Sequence, residues 1–113
     1  MATFTVVTEA ENIPEKSFSC FELNGQALVI CRFQGEYFAV ENQCSHAQSS
    51  FEDGRMRAYS LICPLHGACF DIRDGSATGL PARLPIRSFP VRVVDGMIEV
   101  DLGSARASAP DRV

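Results

Sequence analysis

Cys44-Ser45-His46 is followed, after sixteen intervening residues, by Cys63-Pro64-Leu65-His66-Gly67. Two thiolates and two imidazoles are the donors a soft or borderline metal centre takes. The chain has only two histidines, and both lie in this pattern. A cysteine and a histidine two apart can point to the same side of an extended loop. Cys63 and His66 span a tighter turn, which Pro64 stiffens by fixing its own φ. Gly67 allows a positive φ or a close backbone approach beside the site. Two Cys and two His also suit tetrahedral zinc. A Cys63–His66 nucleophile is the weaker reading, because no third residue orients the pair.

The elements that carry these loops read as strands. Asn24-Gly25 joins Phe18–Leu23 to Gln26–Phe33, and Gln34-Gly35 joins that strand to Glu36–Val40. Asp95-Gly96 joins Val91–Val94 to Met97–Asp101. Each pair is a two-residue hairpin signal between β-branched or aromatic runs. Thr3–Thr8 alternates and predicts an opening strand. Asn12-Ile13-Pro14-Glu15 allows one helical turn. Asp53-Gly54 and Asp74-Gly75 mark further turns. The first Cys/His loop follows the strand ending near Val40. Tyr59–Ile62 leads into the second, and Cys69–Ile72 leaves it. Many short strands with frequent turns predict an antiparallel sandwich or barrel. Phe51, Phe70, Ile72 and Phe89 are assigned to its core.

The paired C-x-H and C-P-x-H-G pattern resembles the Rieske iron–sulfur signature, and Gly67, Phe70 and Asp71 extend the likeness. The resemblance implies an all-β Rieske fold: an antiparallel β sandwich or barrel with a cluster-binding subdomain formed by two loops. It implies one 2Fe–2S cluster, with Cys44 and Cys63 on one iron and His46 and His66 on the other. Pro81 is placed in a third, cluster-covering loop. Residues 1–102 form the single domain, and 103–113 a flexible tail.

Respiratory members of the family carry an additional cysteine in each loop, joined as a disulfide. Ser49 and Leu65 stand at those positions here. Ala68 and Phe70 stand where those relatives supply hydroxyl donors. Fewer donors stabilise the reduced cluster less, which implies a potential on the low side of the Rieske range of about −150 to +300 mV. These features resemble the soluble ferredoxins of bacterial aromatic-ring-hydroxylating dioxygenase systems. The implied role is that of a one-electron carrier rather than an enzyme, most simply a monomer in isolation. Its implied partners are a flavin-containing ferredoxin reductase and a terminal Rieske oxygenase. The alternative is the small Rieske subunit of an assimilatory nitrite reductase.

Composition fits that reading. A chain of 113 residues suits one domain. Ala27–Cys31 is the longest apolar run, far short of the ~20 residues of a membrane span. Met1-Ala2-Thr3-Phe4 shows no charged leader, so a cytoplasmic protein is expected. The net charge of −4 is uneven. Up to Asn42, six acids face only Lys16 and Arg32, whereas eight acids and eight arginines balance from Gln43 onward. That charge favours neither nucleic acid nor membrane as a partner. Arg55 and Arg57 read as a solvated face. Five cysteines are an odd number, so Cys20, Cys31 and Cys69 are expected as thiols.

Overall fold

The computed structural model describes residues 3–45, 49–65 and 67–104. Among the described residues, eleven strands run in chain order: β1 Thr5–Glu9, β2 Ser17–Leu23, β3 Gln26–Phe33, β4 Glu36–Glu41, β5 Arg55–Arg57, β6 Ser60–Ile62, β7 Cys69–Asp71, β8 Ala77–Gly79, β9 Ser88–Phe89, β10 Val91–Val94 and β11 Met97–Val100. They form three antiparallel sheets, ordered β1-β11-β10, β2-β3-β4-β9 and β5-β6-β7-β8. The all-β expectation holds.

Three hairpins form where the turn pairs predict them. Asn24, Gln34 and Asp95 take φ of 52°, 54° and 52°, and the glycines after them take 83°, 78° and 78°. Positive φ at both central residues is the type I′ geometry, whose twist matches that of the flanking strands. The single helical turn comes slightly earlier than expected, as a 3-10 turn over Ala10–Asn12. Pro14 cannot donate to continue it, and the Ile13 side chain is fully buried instead. Glu15 then caps the β3–β4 turn: its carboxylate accepts from the Gln34 and Gly35 amides.

The four-stranded sheet containing β3 is the middle layer. Leu28 and Ile30 join Ile13, Ala39, Phe89, Ile98 and Val100 in a lower core. Val29, Cys31 and Val40 join Phe51, Leu61, Phe70 and Ile72 in an upper core. Successive strand residues point to opposite faces, so a strand covered on both faces reads as an unbroken apolar run. The Ala27–Cys31 run is that strand. The four aromatic and aliphatic residues assigned to the core are all buried.

Beyond β11, buried Asp101 ties down a last 3-10 turn, Leu102–Ser104. Its carboxylate accepts from the Gly103 amide at 3.0 Å and the Ser104 hydroxyl at 2.9 Å. The folded backbone thus continues two residues past the boundary expected at residue 102. The rest of the expected tail, 105–113, lies outside the described residues. No described helix is long and apolar enough to cross a membrane.

Candidate metal centre

The small β5-β6-β7-β8 sheet carries the site. The first loop leaves β4 and returns at β5, and the second joins β6 to β7. The Cys44 amide donates to the Ser49 carbonyl at 2.8 Å, and the Cys63 amide to the Ala68 carbonyl at 2.8 Å. Each loop is therefore closed by the same device, a bond from the cysteine's own N–H to the carbonyl five residues on. The histidine of each motif falls inside the closed span. His46 and His66 themselves lie outside the described residues.

Both cysteines are buried, Cys44 at 0% and Cys63 at 1% exposure, in the same upper core. The residues flanking His66, Leu65 and Gly67, are exposed. The second loop thus runs from a buried thiol to a surface turn and back to buried Ala68. Gly67 takes φ +73°, the left-handed conformation anticipated for it. The Cys69 thiol donates to the Gly67 carbonyl at 3.3 Å and holds that turn from the β7 side.

Local side chains shape the first loop. Asn42 accepts from the Phe51 amide at 2.7 Å through its Oδ1, and Ser50 Oγ accepts from the Glu52 amide at 3.0 Å. Phe51 meets Phe70 edge-to-face with ring centroids 5.5 Å apart, which packs the loop's exit onto the strand leaving the second loop. A Cβ on Gly54 would lie 2.2 Å from the Ile62 carbonyl oxygen. Its hydrogen lets the first loop pass directly beneath the approach to Cys63. A cleft of about 310 Å³ opens there, lined by Asp53, Gly54, Arg55, Ile62, Cys63, Pro64 and Gly67.

A third loop, 80–87, runs from β8 to β9 and contains Pro81 as its second residue. Ala82 and Ile86 bury their side chains in the core that holds both cysteines. The Ser45 hydroxyl donates to the Leu84 carbonyl at 2.5 Å. Sequence reasoning missed this tie, because it joins residues 39 positions apart.

The donor chemistry suits a cluster. Two sulfurs buried in one core are donors that a metal takes up as thiolates. Among the described residues no three His, Cys, Asp or Glu side chains converge; of the four expected donors, Cys44 and Cys63 are described, and they share one core. Cys20, Cys31 and Cys69 form no disulfide among the described residues. Cys20 faces Val29 and lies diagonal to Cys31, as the hairpin register requires. Burial raises the Cys31 thiol far above its usual range. Burial, and then the Glu52 carboxylate, raise Cys20. Arg55 and Arg57 are exposed. Burial alone would raise the Asp71 carboxyl, but hydrogen bonds from Arg73 outweigh it and leave its pKa below the usual carboxylate range.

Residues 3–90 match the family described as Rieske [2Fe-2S] domain. The ferredoxin component of the p-cumate 2,3-dioxygenase system of Pseudomonas putida is 44% identical over 82 residues, covering 72% of this chain and 70% of that one. The ferredoxin component of biphenyl 2,3-dioxygenase from Rhodococcus jostii is 37% identical over 82 residues, covering 73% and 77%. Among solved structures, the ferredoxin of carbazole 1,9a-dioxygenase from Nocardioides aromaticivorans IC177 superposes with a TM-score of 0.84 at 30% identity, covering 88% of this chain and 98% of that one. These relatives lend no support to a nitrite reductase subunit.

Proposed function

The chain belongs to the Rieske 2Fe–2S family, among ferredoxin components of dioxygenase systems, and from that premise we propose how it works. Cys44 and Cys63 hold one iron of the cluster, and His46 and His66 hold the other. The observation that carries this is the pair of buried cysteines in one core, each opening a loop closed by the same amide-to-carbonyl bond. The bound cluster supplies reversible one-electron chemistry. The protein's part is to exclude water from the thiolate side, which Phe51, Leu61 and Phe70 do, and to leave the histidine side open to a partner.

Residue exposure supports that polarity. Leu65, Leu80 and Leu84 are 44%, 73% and 63% exposed, and all three belong to the second and third loops. Exposed apolar residues on the loops that carry a site suit docking to a partner. The partners are a flavin-containing reductase that delivers the electron and a terminal Rieske oxygenase that receives it. The protein itself makes and breaks no substrate bond. It works in the cytoplasm as a monomer between encounters. A single domain over residues 1–102 is supported by the family match over residues 3–90, and the Leu102–Ser104 turn continues it by two residues.

The test is reconstitution. The purified protein is red-brown, a flavin reductase with reduced nicotinamide bleaches its visible absorbance, and added oxygenase with its aromatic substrate and oxygen restores it. The reduced form gives a Rieske EPR signal of low average g. A colourless protein containing zinc ends this reading. A midpoint potential near the upper end of the range of about −150 to +300 mV would reject the argument from Ala68 and Phe70.

A further inference from the structure

We propose that Ser45 is a positioning residue that clasps the covering loop 80–87 to the first ligand loop and so sets how well that loop shields the cluster. The inference rests on the reading of this end as a Rieske site. The arch has two firm feet. The Ala82 amide donates to the Gly79 carbonyl at 3.1 Å, and the Ile86 amide to the Gly75 carbonyl at 2.9 Å. Gly75 sits so close that a Cβ there would lie 2.0 Å from the Ile86 carbonyl oxygen. Between those feet, Arg83 and Leu84 are exposed, and the Leu84 side chain gains little from burial. Apolar packing therefore cannot hold the crown down.

Among the described residues, what reaches the crown is the Ser45 hydroxyl, through the Leu84 carbonyl at 2.5 Å. That length is at the short end for O–H···O bonds. Ser45 is the residue between Cys44 and His46, so the clasp connects the cover directly to the ligand turn. The same loop exposes Leu80 and Leu84 to a partner. The residue that fixes the cover thus also fixes the height of the docking leucines over the site.

Removing the hydroxyl lets the crown lift. Two things follow: the chain becomes cleavable within the loop, and water reaches the cluster more freely. Water stabilises the more charged, reduced state, so the potential rises. Trypsin reads the first effect at the Arg83–Leu84 bond, identified by fragment mass. Redox titration reads the second.

The full-length, cluster-loaded protein is compared with its Ser45→Ala and Ser45→Thr variants. Cleavage at Arg83 is expected to be about tenfold faster in Ser45→Ala, the factor that the loss of one hydrogen bond gives. Its potential moves upward, while Ser45→Thr keeps the wild-type values of both. The proposal falls if either readout is unchanged in Ser45→Ala, or if Ser45→Thr behaves like the alanine variant. Should Ser45→Ala fail to load its cluster, cleavage is compared on the cluster-free forms of all three proteins, with the same criteria. A colourless wild-type protein would remove the functional reading and leave the cleavage comparison standing.

Discussion

The two cores on opposite faces of the middle sheet are built differently. The lower core takes its buried residues almost wholly from strands, Leu28, Ile30, Ala39, Phe89, Ile98 and Val100, with Ile13 the exception. Ladder hydrogen bonds on both layers fix their backbone. The upper core takes Cys44, Phe51, Cys63, Ala68, Ile72, Ala82 and Ile86 from loops and turns. There the backbone is fixed by single bonds, such as those closing the loops at Cys44 and Cys63. A strand core stands on its own pairing. A loop core needs a cross-link, and a metal centre joining two loops is one.

The largest expected effect separates the cores outright. Cys63→Ser abolishes the visible spectrum, and His66→Ala does the same. Hydrogen exchange then shows lost protection in β6 and β7, while β3 and β11 stay protected. A variant that keeps the full spectrum would refute the ligand assignment. Equal loss of protection in both cores would erase the distinction between them.

Leu28→Ala attacks the other side. Truncating a fully buried leucine costs about 2–5 kcal/mol by denaturant titration. The folded protein should keep its colour, since Leu28 faces away from the cysteines. A bleached but folded variant would show that the cores are not separable. Phe51→Leu is milder. It removes the edge-to-face contact with Phe70, which costs about 0.5–1.5 kcal/mol beyond area burial. It should also speed cluster loss to a chelator, an effect Leu28→Ala lacks.

The smallest effect is a pH slope in the strand-built half. Hydrogen bonds from the Gly35 and then the Gln34 amide hold the Glu15 carboxyl below its usual pKa. A carboxyl depressed in the folded state stabilises the fold above its unfolded pKa, about 4.3. That contribution fades as pH falls through the lower, folded value. Melting temperature measured down through this window should fall less steeply in Glu15→Gln than in wild type. Identical slopes would mean the contact has no net worth in water.

These contrasts also explain what the sequence could disclose. The Asn24-Gly25, Gln34-Gly35 and Asp95-Gly96 hairpins were legible because their turn type demands positive φ, which few residue types supply cheaply. The β5–β6 hairpin was not, because Ala58 takes φ +53° with no glycine to announce it. Edge strands β5, β8 and β9 have two or three residues each, too few to show a period. Cys44 and Cys63 stood out in the sequence because metal donors are rare and their spacing is constrained, and the structure buries both in one core. Gly54 and Gly75 read only as turn residues, whereas the structure adds a close approach to a distant carbonyl at each. The Ser45 tie had no local signal, since its partner is a backbone oxygen from another loop.

The central strand β3 has a consequence for speed. Its Leu28 and Ile30 are locked into one core while its Val29 and Cys31 are locked into the other. Any shift of the platform under the cysteine loops would have to disturb both close-packed interiors at once. An arriving electron changes the local charge by one unit, and soft surroundings would answer by rearranging. Surroundings braced from below have little freedom to do so, so the reorganisation barrier to electron hopping stays low in both directions.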